Sequence, residues 1–157
     1  MKTATIRELK QELQHRSQTE LVALCLHLSR FKKESKELLT YLLFESGNEE
    51  AYIESVKQEI AVSFDEINIK SYFYIKKSVR KILRNTKKYI RYSKKKETEV
   101  ELLLFFCETL KNMTPSFRNN VSLDNIFKRQ IILIKKAVAT LEEDLQYDYG
   151  LELDALQ

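Results

Sequence analysis

Two glycines and one proline are all the turn-forming punctuation this chain has: Gly47, Gly150 and Pro115 in 157 residues. Sheets need tight turns, bulges and bends, which these residues supply, whereas a helix is weakened by them. The scarcity predicts an all-α protein. With 43% hydrophobic and 32% charged residues the composition is that of a globular chain. At this length one core is the default, burying roughly two thirds of the unfolded surface. The sequence therefore reads as a single helical domain over 1–157, with an acidic tail from about 148.

The periodicity predicts about seven helices. Thr5-x-x-Glu8 and Ser17-x-x-Glu20 fit the capping box, in which a hydroxyl and a carboxylate satisfy backbone donors at a helix start. They open helices near 5–14 and 18–31. A third, near 34–46, carries Leu38, Leu39, Tyr41, Leu42 and Leu43, and Gly47-Asn48 supplies a stop and the next cap. The fourth, about 49–64, has the stripe Tyr52, Ile53, Val56, Ile60 and Phe64. A basic fifth helix covers about 71–95, with SYFYI at its start as the one run ambiguous between helix and strand. Thr98 with Glu101 suggests a cap for a sixth, near 98–112, which ends in the loop NMTPSFRNN. The seventh runs from about 122 to 147 on Phe127, Ile131, Ile134, Val138, Leu141 and Leu145. DYGLELDALQ reads as a tail or short docking segment. A faint echo links KELLTYLLFES with VELLLFFCETL, compatible with antiparallel helical hairpins stacked as a short superhelix of the HEAT or TPR type, or with an irregular bundle.

IRELKQEL, SQTELVALCLHLSRF and KESKELLTYLLF together resemble an uncharacterised family of small bacterial all-helical proteins, a domain of unknown function. The leucine-rich phrase is similar to helical regions beside SWIM-type zinc fingers. The resemblance covers residues 5–45 and implies a superhelical or bundle-like α fold. It carries no activity and no functional residue, because the chain lacks the cysteine-histidine finger.

Cys25 and Cys107 sit in the apolar runs LVALCLHL and ELLLFFCETL, without CxxC or zinc-ligand spacing, and read as two buried free thiols. His27 lies two residues from Cys25, and such neighbours point apart on a helix, so it reads as a packing or surface histidine. The opening MKTATIRELKQEL alternates charged and apolar residues where a signal peptide would be continuously apolar, and no 18-residue apolar run is present. The expectation is a cytoplasmic protein without a membrane span.

The strongest functional signal is KKSVRKILRNTKKYIRYSKKK, residues 76–96, with eleven basic residues and no acid. At about 100° per residue, Ile75, Val79, Ile82, Leu83, Thr86, Ile90 and Ser93 share one side. Lys76, Lys77, Arg80, Lys81, Arg84, Lys87, Lys88, Arg91, Lys94 and Lys95 fill an arc of about 140° opposite. A solvated helix face ordinarily mixes signs, since like pairs at i,i+4 cost about 0.2–0.5 kcal/mol each. The eleven like-charged i,i+3 and i,i+4 pairs here come to roughly 2–5 kcal/mol at low salt, so the row invites an anion. Residues 70–96 hold twelve of the 27 basic residues, leaving 15 basic against 23 acidic elsewhere, net −8. One source is therefore internal. Glu142, Glu143 and Asp144 end the expected seventh helix with the wrong sign for its macrodipole, and a parallel fifth helix would bring them a cationic neighbour. The other source is external: an acidic protein surface, a second copy of the chain, nucleic-acid phosphates, or, less favoured because the apolar face is needed for the fold, anionic lipid. Of the interleaved aromatics, Phe73 alone points into the basic arc.

No Gly-rich phosphate loop, HExxH, GxSxG, calcium loop or ExxH pair is present. The neighbouring carboxylates Glu49-Glu50 and Glu142-Glu143-Asp144 diverge by about 100° on a helix, so they form no acid/base pair by themselves. No cofactor, metal or small-molecule substrate is expected. The sequence reads as a non-catalytic interaction module that uses the basic helix, 70–96, to dock an acidic protein surface or a second copy of itself. Non-sequence-specific nucleic-acid binding is the alternative, and an enzyme the third reading.

Overall fold

The computed structural model describes all residues, 1–157, as eight α-helices without a strand. They are α1 (Ile6–Gln14), α2 (Gln18–Phe31), α3 (Lys33–Thr40), α4 (Glu49–Asp65), α5 (Tyr72–Ser93), α6 (Lys96–Asn112), α7 (Val121–Val138) and α8 (Glu143–Leu156). A π-helical turn, Tyr41–Glu45, continues α3, and a 3-10 turn, Phe117–Asn119, precedes α7. Where the sequence reads as one domain, the chain divides into two compact units, Met1–Phe44 and Glu45–Gln157.

In the first unit both expected capping boxes form. Thr5 accepts from the Glu8 amide at 3.3 Å and Ser17 from the Glu20 amide at 3.2 Å, while each glutamate reaches back to the cap's own N–H. α2 packs on α3. Little is covered: α1 and α3 bury no side chain and α2 buries only Ser29. Cys25 is exposed, against the expectation of a buried thiol, because a segment of 44 residues has too little material to surround an all-round apolar helix.

The second unit is an irregular bundle around α6, which packs against α4, α5, α7 and α8. Its run LLLFFC, residues 102–107, is apolar on every side, as the middle of a central helix must be. Val100, Leu102, Phe106, Cys107 and Leu110 are fully enclosed. Burial also pushes the Cys107 thiol up to about 12. Asn48 caps α4 and Asn120 caps α7 through their side-chain oxygens. Glu49, opening α4, accepts from Ser93, from Thr98 at 2.6 Å and from Lys95 at 3.2 Å, and so joins α4 to the α5–α6 corner. Thr98 is therefore no cap. α6 begins at Lys96, and the Thr98 hydroxyl is spent on Glu49 inside the first turn. Glu101 instead accepts from Lys57 of α4 at 2.7 Å and from Tyr149 of α8 at 2.8 Å. Burial, reinforced by Glu101 and Glu97, holds the Tyr149 phenol above its ordinary range.

The expected long seventh helix is two helices. The chain leaves α7 at Val138, turns over residues 139–142 and returns as α8 against α6 and α7. Neither glycine nor proline marks this break. It is made by burial, since Tyr149, Leu153 and Leu156 reach the core only if the chain reverses. The segment expected as an acidic tail is accordingly the greater part of a packed helix.

Candidate anion-binding groove

α5 buries Ile75, Val79, Ile82 and Thr86 of the anticipated stripe, leaves Leu83, Ile90 and Ser93 half-buried, adds Tyr92, and turns its basic arc outward. Near its start the Tyr72 hydroxyl donates to the Ser116 carbonyl at 2.9 Å, tying α5 to the loop ahead of α7. Directly after Val79, the Arg80 guanidinium donates to the Ser122 hydroxyl at 2.8 Å. The two helices run in the same direction from there and enclose a groove of about 550 Å³. Arg80, Arg84, Lys87 and Arg91 form one wall; Ser122, Asn125 and Arg129 form the other, with Leu83 and Ile126 between them. No acidic residue lines it.

Helix geometry spaces the four α5 cations about 5–6 Å apart over about 16 Å. Arg84, Arg91 and Arg129 are exposed, and Lys87 is half-buried. The first turn of α7 contributes the positive end of its macrodipole at the Ser122 end of the groove. Arginine matters here because its planar fork binds phosphate or carboxylate through two hydrogen bonds, which lysine cannot do.

Of the ten residues singled out in the sequence, Arg80, Arg84, Lys87 and Arg91 converge in the groove. The other six do not. Lys77 and Lys81 are exposed and Lys76 half-buried on its flanks. Lys88 lies with its ammonium 4.6 Å from the Tyr89 ring centroid. Lys94 is the C-cap of α5, in the left-handed conformation at φ 60°. Lys95 pairs with Glu49 at 3.2 Å. Arg129 was not singled out. Its signal was present as the stripe Ser122, Asn125, Ile126, Arg129 at i, i+3, i+4, i+7, but a single arginine acquires meaning only beside α5.

The acids offered as the internal source of counter-charge for α5 do something else. Glu142 is the N-cap of α8, and Glu143 and Asp144 occupy its first turn, where negative charge complements the macrodipole. The sign problem inferred for a helix ending at 147 disappears once the helix breaks. All three are exposed, and none forms an ion pair with α5. Lys76, Lys77, Arg80, Lys81, Arg84, Lys87, Arg91 and Lys94 make no ion pair either.

The fold and groove define an all-α protein with an arginine-lined surface channel. No protein-family model, curated protein or solved structure matches the chain. No helix is long and apolar enough to cross a membrane.

Proposed function

We propose that the chain is a non-catalytic binding module whose α5–α7 groove takes the phosphate backbone of a nucleic acid without reading its sequence. The observation that carries this is the second wall: Arg129 faces a row of four evenly spaced cations, and no acid interrupts them. A regular row suits a polymer of regularly spaced anions, and each neutralised phosphate releases a counterion. Phe73 supports a nucleic acid over an acidic protein surface. It lies on the same helical face two turns before Arg80, with its ring 5.4 Å from that of Tyr74 in an edge-on contact, and at 66% exposure still offers surface on which an unpaired base can stack.

Fluorescence anisotropy with a labelled single strand and a labelled duplex, from 50 to 200 mM salt, tests the reading. Five phosphate contacts predict a log–log salt slope of about −4 to −5 and a loss of affinity of several hundredfold across that range. Binding of polyglutamate as tight as that of the oligonucleotides would favour an acidic protein partner. Absence of any anisotropy change at 50 mM salt would remove nucleic acid from consideration.

A further inference from the structure

The first unit leaves its apolar side chains open. α1 and α2 flank a groove of about 600 Å³ whose lining includes Leu9, Leu13, Ala23 and Leu24. Leu9, Leu13 and Leu24 are 43–46% exposed, and the apolar surface continues over Ile6 and Phe31, at 81% and 77%. A solvated surface does not carry such a contiguous patch without a use for it. Units this small ordinarily need a cross-link, a metal or a partner chain to be stable, and the one cysteine here, Cys25, is free.

We propose that the α1–α2 face is an isologous interface between two copies of this chain. Two observations select a second copy over a partner of one charge. The rim of the groove carries both signs, Glu12 and Glu20 beside Arg16 and His27. Glu12 and Arg16 form only a loose pair, at 3.8 Å with side chains 74% and 50% exposed. Under a two-fold axis the same patch meets itself; with the axis passing beside the Glu12–Arg16 turn of α1, Glu12 of each copy faces Arg16 of the other, and the rim is self-complementary. An acidic or basic partner would satisfy half of it and repel the rest. The area also fits: the five large apolar side chains at these exposures offer several hundred Å², the scale of the roughly 800 Å² that each partner contributes to a standard interface. The proposal is independent of the basic groove.

Sedimentation velocity on the full chain from 1 to 100 µM is the test. The expected species has twice the 18.6 kDa chain mass. Leu13→Glu with Leu24→Glu should shift it to monomer and weaken association at least tenfold, with helicity checked by circular dichroism. If that variant unfolds, the rim decides. Glu12→Arg should weaken the dimer, and Glu12→Arg with Arg16→Glu should restore it, because the swap preserves self-complementarity. A wild-type chain monomeric throughout the range overturns the proposal, whether or not its apolar face binds a hydrophobic dye. A dimer indifferent to both the leucine and the rim variants overturns it equally.

Discussion

Arg80 of α5 donates to Ser122 in the first turn of α7 at 2.8 Å, a contact between residues 42 apart in the sequence. It marks the place where two parallel helices, separated in the chain by the central α6, come together at one end of a shared channel. The contact fixes the nearer end of the basic row and leaves Arg84, Lys87 and Arg91 facing Arg129 across it.

Charge removal should act by position. Arg129→Ala is expected to weaken oligonucleotide binding equally for unrelated sequences and to lower the salt slope by about 1, as the loss of one phosphate contact does. Lys95→Ala, whose ammonium is engaged by Glu49, should change the slope far less. Ser122→Ala removes one surface hydrogen bond and should cost at most about 1 kcal/mol of stability. The slopes come from anisotropy titrations at four or more salt concentrations, and the stability from urea unfolding.

Replacing Glu142, Glu143 and Asp144 together by Gln should lower stability, because negative charge is removed from the start of α8. The dipole contribution is about 0.3–1 kcal/mol per residue at low ionic strength and should shrink at high salt. Oligonucleotide affinity should stay within twofold of the parent. A large gain in affinity would instead identify these acids as the internal neutraliser of α5.

Glu49 is 17% exposed and accepts from three groups on the α5–α6 corner. Glu49→Ala strands the Ser93 and Thr98 hydroxyls and frees Lys95, and should cost about 2–4 kcal/mol. A lower urea midpoint with an unchanged slope is the expected signature.

Gln130 is 3% exposed, and its Oε1 has no partner, while its amide nitrogen donates only to the Ile126 carbonyl at 3.1 Å. That carbonyl is one turn back on the same helix and is served by the backbone in any case. Gln130→Met, similar in volume and without the orphaned oxygen, should raise stability by about 1 kcal/mol in urea unfolding.

The two thiols should behave as opposites. Cys25 is exposed and should react with an aromatic disulfide reagent at once at pH 8, whereas Cys107 should react only at the rate of unfolding. Because burial raises the Cys107 pKa from 9.0 to about 12, the neutral thiol's contribution to stability is complete below pH 9 and declines between pH 9 and 12. Cys107→Ser should flatten that alkaline decline.

What could be read from the chain followed local rules. The near-absence of glycine and proline required helices, the capping boxes at Thr5 and Ser17 set two starts, and three-and-four spacing identified the buried faces of α4 and α5. These depend on neighbours within a turn or two, so the sequence alone determines them. What only the tertiary structure decided depends on burial between distant segments. α7 and α8 separate without a helix breaker because Tyr149, Leu153 and Leu156 gain more from the core than the backbone loses at residues 139–142. That reversal places Glu142, Glu143 and Asp144 at a helix start instead of a helix end, which inverts their electrostatic meaning. Thr98, a cap by pattern, is taken by Glu49 from across the bundle. Arg129 is one surface arginine among many until α7 lies beside α5, and the row beginning KKSVRK is a charged face until that second wall makes it a groove.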